Sequence, residues 1–253
     1  MCRLLGILGG EALRREWFDT FADLAVTGNT PGGAPDERGH GDGWGLVLFR
    51  NGVLLESVHE ARSAAKDPEY ARVARKVVCA SAAVAPGKAS VVLGHVRRKS
   101  SGMPAGRGFS HPFVEIRNGK AWAFAHNGGL EGYTFTEEEG LIDSQVVLRR
   151  LLANLDGPSG EEVADATRRT EAQLRGEFSG YTALNFLLTD GTRLHAFRQC
   201  LRDESYYTLY HGRVGRSVLV CSQPLGGTVA TAMENGTLAT VGPNLAVHVT
   251  RVL

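Results

Sequence analysis

Five stretches of this sequence carry residues that could do chemistry together, and the first is Met1-Cys2. Methionine aminopeptidases act when the second side chain is small, so loss of Met1 would give Cys2 a free α-amino group. That amine has an unperturbed pKa of about 7.7–8.0 and the thiol one of about 8.5, which puts a nucleophile and a base on one residue. Taken alone, the dipeptide fits an ordinary strand start equally well. The second stretch, Gly39-His40-Gly41-Asp42-Gly43-Trp44-Gly45, has four glycines in seven residues, a density that lets a backbone approach a ligand closely or simply turn. The third, Gly94-His95-Val96-Arg97-Arg98-Lys99, ends a strand pattern in cations; an arginine there could grip a carboxylate bidentately, and a solvated strand end is the alternative, above all for Arg98 and Lys99. In the fourth, His126-Asn127-Gly128-Gly129, an amide beside glycine N–H groups suits an oxyanion hole, although Asn-Gly-Gly is also a common turn. Asp143, at the head of an apolar helical run, could be an anion for a ligand or only a helix cap.

Composition narrows the classes of function. The 253 residues include 28 basic and 27 acidic side chains, a net charge of +1, so nothing suggests a polyanion partner, and nucleic acid is not expected. With 43% hydrophobic and 22% charged residues the chain reads as globular, with a sizeable core. No apolar run approaches the roughly 18 residues of a membrane span, and the first residues lack a signal-peptide layout, so a cytoplasmic location is expected. Cys2, Cys79, Cys200 and Cys221 show no C-x-x-C spacing, which indicates neither a zinc site nor a disulfide framework.

The elements that must position these residues follow from periodicity. Arg3–Leu8 reads as a buried strand closed by Gly9-Gly10, and Glu11–Val26 as an amphipathic helix; Thr27–Arg38 has loop composition. Asn51-Gly52 predicts a hairpin joining Trp44–Arg50 to Val53–Val58, and Asn118-Gly119 another. Pro68–Val78 and Glu161–Phe178 read as helices, with a further one beginning near Asp143; Val91–Val96 and Trp122–Ala125 read as strands. The last third turns to strands at Ala183–Leu188, Arg193–Phe197, Tyr206–Leu209, Val218–Ser222 and Leu245–Val252, with Asp190-Gly191 as a turn. The order predicts a single α+β domain spanning residues 1–253, two stacked antiparallel sheets with helices outside.

In order and spacing, Cys2, the His40–Gly45 run, Gly94-His95-Val96-Arg97, His111-Pro112-Phe113 and His126-Asn127-Gly128-Gly129 resemble the class II glutamine amidotransferase domains. The likeness spans most of residues 2–150 and extends more weakly through Leu184–Gly191 and Ser222-Gln223-Pro224-Leu225 to stand-alone members, similar to the γ-glutamyl hercynylcysteine sulfoxide hydrolase of ergothioneine biosynthesis. It implies the four-layer αββα sandwich of the N-terminal nucleophile hydrolases and cleavage of a glutamine-type γ-amide, with no cofactor and no metal. By the same likeness, Cys2 is the nucleophile with its own α-amine as base, Arg97 binds the α-carboxylate, Asp143 the α-ammonium, and Asn127 with the Gly128 N–H forms the oxyanion hole. Gly43, Trp44, His95 and His126 join the substrate-binding set. The chain departs from the family pattern at Lys99, where a small residue is usual, and at Gln145, where glutamate is usual.

The arrangement has a physical rationale of its own, because a free amino acid head group needs a cation and an anion, and Arg97 with Asp143 supplies both. The motifs use nearly all of the chain, so a synthase domain on it is not expected. The readings that follow are a γ-glutamyl hydrolase, a glutaminase that passes ammonia to a separate synthase subunit, and a non-catalytic glutamine-binding module. Trp44, Arg98, Lys99 and the loop Ala105–Phe109 are placed on the leaving-amine side.

Overall fold

The strand Arg3–Gly9 (β1) is buried along its whole length, as an unbroken apolar run requires of a strand covered on both faces. In the computed structural model, which describes residues 2–32, 38–226 and 230–253, it is a central strand of a seven-stranded sheet. Met1 and the middle of the expected loop Thr27–Arg38 lie outside the described residues. After β1 come a helix at Arg15–Thr27 (α1), strands at Gly43–Arg50 (β2) and Val53–Glu60 (β3), a helix at Pro68–Ser81 (α2) and a strand at Ser90–Arg97 (β4). Strands Phe113–Arg117 (β5) and Lys120–Glu131 (β6), helices Asp143–Ala153 (α3) and Gly160–Glu177 (α4), and strands Gly180–Thr189 (β7) and Leu194–Arg198 (β8) follow. The chain ends with Tyr210–Val214 (β9), Ser217–Cys221 (β10), Thr231–Ala232 (β11), Thr237–Val241 (β12) and Val247–Arg251 (β13).

The first sheet has the order β11-β9-β10-β1-β4-β2-β3 and the second β13-β12-β8-β7-β6-β5. All the pairings described are antiparallel. Period-2 alternation divides each strand's side chains between two apolar layers. Leu4, Leu8, Val47, Phe49, Val91 and Leu93 of the first sheet meet Ala123, Ala125, Leu187 and Ala196 of the second in the layer between the sheets. The opposite residues, Leu5, Ile7, Leu46 and Leu48, pack under α1 and α2 through Phe18, Phe21, Tyr70 and Val73. On the far side Phe124, Leu184, Phe186 and Phe197 pack under α3 and α4 through Leu148, Leu151, Val163 and Leu174. This is the αββα layering expected of the sequence, and each fully buried Leu or Phe contributes about 1.5–3 kcal/mol to it.

Local chemistry sets the element ends. Asn51 and Gly52 both take positive φ, 55° and 85°, as do Asn118 and Gly119, 50° and 73°, the backbone a two-residue hairpin demands. Asp67 caps α2 by accepting the Glu69 N–H at 3.0 Å, and Ser159 with Glu162 forms a reciprocal capping box on α4. Several elements differ from the sequence reading, three of them instructively. Helix α1 starts at Arg15 rather than Glu11, because Gly10 N–H bonds the Arg216 carbonyl and Leu13 N–H bonds Ser81 Oγ, which holds that segment outside the helix. The strand expected at Tyr206–Leu209 forms instead at Tyr210–Val214; the Tyr206 and Tyr207 amides both turn back to the Asp203 carbonyl. Strand β12, absent from the sequence reading, pairs with β8 and β13.

Candidate functional site

Strand register gathers the chemistry-bearing residues at one end of the sandwich. Arg3 lies opposite Val96 and Gly43 opposite Arg97, so the start of β1, the end of β4 and the start of β2 share an edge. Leu4 belongs to the layer between the sheets, and Cys2, two residues earlier, faces the same way. There it meets β6 of the other sheet: the Cys2 N–H donates to Asn127 Oδ1 at 3.0 Å. Cys2 Sγ lies 3.7 Å from the Arg98 carbonyl oxygen. Both Cys2 and Asn127 are buried, and Asn127 Nδ2 has no hydrogen-bond partner among the described residues. A buried amide N–H left open is costly, about 1–3 kcal/mol, unless something else uses it.

Arg97 is buried at the same edge; its Nη2 donates to the Pro104 carbonyl at 2.8 Å, and Nη1 has no partner among the described residues. Burial lowers its pKa, and Cys2, Asp42 and Asp143 pull the other way, which places Arg97 within electrostatic reach of all three. Asp42 ties the following loop down, its Oδ2 accepting the Lys99 N–H at 2.9 Å. Position 99 is therefore engaged through its backbone, which accommodates a lysine where the family pattern has a small residue. Gly43 has to be glycine: a Cβ there would stand 2.6 Å from Ser110 Oγ and 2.9 Å from the Glu60 carbonyl oxygen.

Asp143 opens α3, with Ile142 in the cap position. Its carboxylate accepts the Ser144 N–H at 2.8 Å and the Leu130 N–H at 3.3 Å, which locks the helix start against β6 just beyond Gly128-Gly129. Gln145 performs the capping itself, its side-chain oxygen accepting the Ile142 N–H at 3.0 Å, so an amide serves there as well as a carboxylate. Gly128 is pressed against β7; a Cβ would lie 1.8 Å from the Ala183 carbonyl oxygen.

Trp44 and His126 are placed differently from this group. Trp44 alternates with Gly43 and Gly45, so its ring lies on the helix side of the sheet, fully buried against Tyr70 and donating Nε1–H to Asp67 at 2.9 Å. The structure does not bring it to the face shared by Cys2 and Gly43. His126 alternates with Ala125 and Asn127 and stacks on Phe124, with Nδ1 2.9 Å from Ser144 Oγ; it braces the Asp143 helix start. Burial pushes its pKa down to about 4, with Asp143 opposing. His95 is buried against His111, ring centroids 4.3 Å apart, and burial together with the Arg97 charge keeps it neutral, well below the usual range.

Sequence reasoning passed over Tyr206, Arg3 and His40's partner. The Tyr206 hydroxyl donates to the Cys2 carbonyl at 3.1 Å and lies 3.3 Å from His40 Nε2, and Arg3 is buried over the Tyr206 ring at 4.3 Å. No local motif announces a contact between residues 204 positions apart; the one available signal was a charged side chain inside the otherwise apolar β1.

The arrangement gathers a thiol, a side-chain amide, a cation and a carboxylate, all largely buried, at one end of the sandwich. Comparison with known proteins identifies the family and the fold. Residues 1–214 match the family model of class II glutamine amidotransferases. An uncharacterized protein of Methanocaldococcus jannaschii is 26% identical over 78% of this chain and 51% of its own length. YafJ of Escherichia coli, provisionally named as a glutamine amidotransferase, is 26% identical over 78% of this chain and 72% of its own. The chain thus spans about half the length of the first of these relatives. Among solved structures, the fold resembles glutamine phosphoribosylpyrophosphate amidotransferase of Bacillus subtilis, with a TM-score of 0.62 and 17% identity over all of this chain and 49% of that one. A class II glutamine aminotransferase domain protein of Silicibacter pomeroyi gives 0.61 and 19%, with both chains covered completely. The chain belongs to the class II glutamine amidotransferases.

Proposed function

We propose that the chain, once Met1 is removed, hydrolyses a glutamine-type γ-amide through Cys2. The observation that supports this most is the contact between Cys2 N and Asn127 Oδ1 at 3.0 Å, because it holds the side-chain amide of Asn127 against the backbone of the candidate nucleophile. The α-carboxylate of the substrate pairs with Arg97, using the Nη1 that has no partner among the described residues, and the α-ammonium pairs with Asp143. Gly43 lets Ser110 and Glu60 pack closely beside Arg97.

The Cys2 amine takes the thiol proton and the thiolate attacks the γ-carbonyl carbon. Negative charge on the carbonyl oxygen is held by Asn127 Nδ2 and the Gly128 N–H. The amine returns the proton to the leaving nitrogen as the C–N bond breaks, which leaves a γ-glutamyl thioester, and water attacking that thioester releases glutamate and restores the thiol. His95 lies on the pocket side, His126 acts from the other face of β6 by bracing the Asp143 helix start, and no step calls for a cofactor.

The whole of residues 1–253 acts in this reading as one amidohydrolase domain of the cytoplasm. Among the described residues no helix is long and apolar enough to cross a membrane. The complete coverage of the Silicibacter pomeroyi chain favours a stand-alone γ-glutamyl hydrolase. The half coverage of the Bacillus subtilis enzyme favours the second reading, a glutaminase that delivers ammonia to a separate synthase. Glutamate release by the isolated mature protein separates them: a hydrolase cleaves a bulkier γ-glutamyl amide faster than glutamine, and a glutaminase subunit prefers glutamine. Glutamine binding with no release of glutamate from any amide would leave only a binding module. Cys2→Ala abolishes release in either catalytic reading.

A further inference from the structure

Removal of Met1 raises a mechanical problem at Cys2. The β-ladder begins at Arg3, so Cys2 becomes a chain terminus, and termini fray unless something ties them down. A nucleophile that frays loses its alignment with the oxyanion donors, and small misplacements are expensive in rate.

The structure supplies a second tie, at the Cys2 carbonyl. Tyr206, 5% exposed, donates its hydroxyl hydrogen to the Cys2 carbonyl at 3.1 Å. Arg3 fixes Tyr206 twice, with its guanidinium 4.3 Å from the ring centroid and Nη1 donating to the Tyr206 carbonyl at 3.3 Å. Arg3 is itself 2% exposed and anchored by the Ser222 carbonyl at 2.8 Å and the Asn29 carbonyl at 2.6 Å. A buried arginine spent on backbone carbonyls beside the candidate nucleophile is costly to keep unless rigidity there matters.

His40 completes the arrangement. Its Nδ1 faces the Leu24 carbonyl at 3.2 Å; a carbonyl only accepts, so Nδ1 carries the ring hydrogen and Nε2 presents a lone pair to Tyr206. Burial holds His40 down to about 3 and raises the Tyr206 hydroxyl, so both stay neutral. The single hydroxyl hydrogen of Tyr206 thus lies between two acceptors and takes the nearer one, Cys2. Asn127 grips Cys2 by its nitrogen, Tyr206 by its carbonyl oxygen, and the side chain is left to react.

We propose that Tyr206, clamped by Arg3, is a positioning residue that holds the Cys2 backbone so that the thiol meets the oxyanion donors. This rests on the reading of Cys2 as the nucleophile.

The test compares mature wild type with Tyr206→Phe, which removes one oxygen atom and keeps the ring. Two reagents are used: 6-diazo-5-oxo-norleucine, which must dock as a glutamyl group before it meets the thiol, and iodoacetamide, which needs only a reachable thiolate. Losing one neutral hydrogen bond predicts a drop of about 3- to 10-fold in the rate of modification by the glutamyl reagent and in kcat, with KM within about twofold. The iodoacetamide rate at Cys2 stays equal or rises. Equal rates with the glutamyl reagent would overturn the proposal, as would a parallel slowing with both reagents or a fall in melting temperature unaccompanied by a change in their ratio. Failure of the wild type to react with the glutamyl reagent would remove the nucleophile reading itself, and this inference with it.

Discussion

Asn127→Ala separates catalysis from stability at a single buried position. The side chain accepts from Cys2 N at Oδ1, 3.0 Å away, and Nδ2 makes no close hydrogen bond among the described residues. Truncation forfeits about 0.5–1.5 kcal/mol for the lost bond and removes a buried unpaired donor that itself costs about 1–3 kcal/mol. A small cavity adds roughly 1 kcal/mol in the opposite direction. The sum lies within about 1–2 kcal/mol of zero, a shift of roughly 4 °C or less in melting temperature for a chain of this size. Activity behaves differently, because one oxyanion donor is worth about 10²–10³ in kcat. Glutamate release from a γ-glutamyl amide, measured alongside thermal unfolding of the same samples, gives both quantities. Asn127→Asp sharpens the comparison: its carboxylate still accepts from Cys2 N but offers no hydrogen to the oxyanion, and activity falls by at least as much. A variant with near wild-type kcat would refute the oxyanion assignment, and a melting temperature lowered by more than about 10 °C would show that Asn127 is structural.

Other outcomes follow from particular contacts. Arg97→Lys raises KM for the amide at least tenfold with a smaller change in kcat, since a point charge replaces a bidentate fork; an unchanged KM would place the carboxylate elsewhere. Trp44→Phe leaves the buried Asp67 carboxylate without its Nε1–H and destabilises by about 1–3 kcal/mol, while KM stays within twofold because the ring lies on the helix face; a large KM effect would contradict that placement. Gly45→Ala pushes a methyl to 2.1 Å from the His111 carbonyl oxygen and lowers stability by about 3 kcal/mol, read as a lower urea midpoint. Stability falls in acid: burial depresses His40 to about 3, His126 and His195 to about 4, and His95 and His111 well below 6.5. The unfolded chain takes up these protons near pH 6.5, so their contribution is complete above that pH and is lost toward pH 4, each costing up to about 1.4 kcal/mol per pH unit. A denaturation midpoint unchanged between pH 7 and pH 5 would show that these rings are charged or hydrated in the folded state.

The layering was legible because its signals are local. Turn pairs such as Asn51-Gly52 need only their own backbone preference, and Cys2, Arg97 and Asp143 sit at element ends, with Asn127 inside β6. Facing was legible in principle: alternation with Gly43 and Gly45 already assigns Trp44 to the other side of β2, but the motif invites counting all its members as pocket. The misread strand at Tyr206–Leu209 is instructive, since two adjacent aromatic residues imitate a strand while serving a turn whose purpose lies at Cys2. Strand β12 escaped notice because Thr237-Leu238-Ala239-Thr240-Val241 is short and only weakly alternating, and its pairing with β8 is a matter of tertiary context. Contacts across more than a hundred residues, Cys2 with Asn127 or with Tyr206, leave no periodicity to find.

The account stands on Cys2 as an N-terminal nucleophile in a glutamyl pocket. Intact mass of the untagged protein before and after incubation with 6-diazo-5-oxo-norleucine, followed by peptide mapping, tests both parts at once. The predicted result is a starting mass lacking Met1 and one adduct, located on Cys2 and absent from a form that keeps residues ahead of Cys2. A protein that lacks Met1 and gains no adduct, or gains it on Cys79, Cys200 or Cys221, would contradict the account.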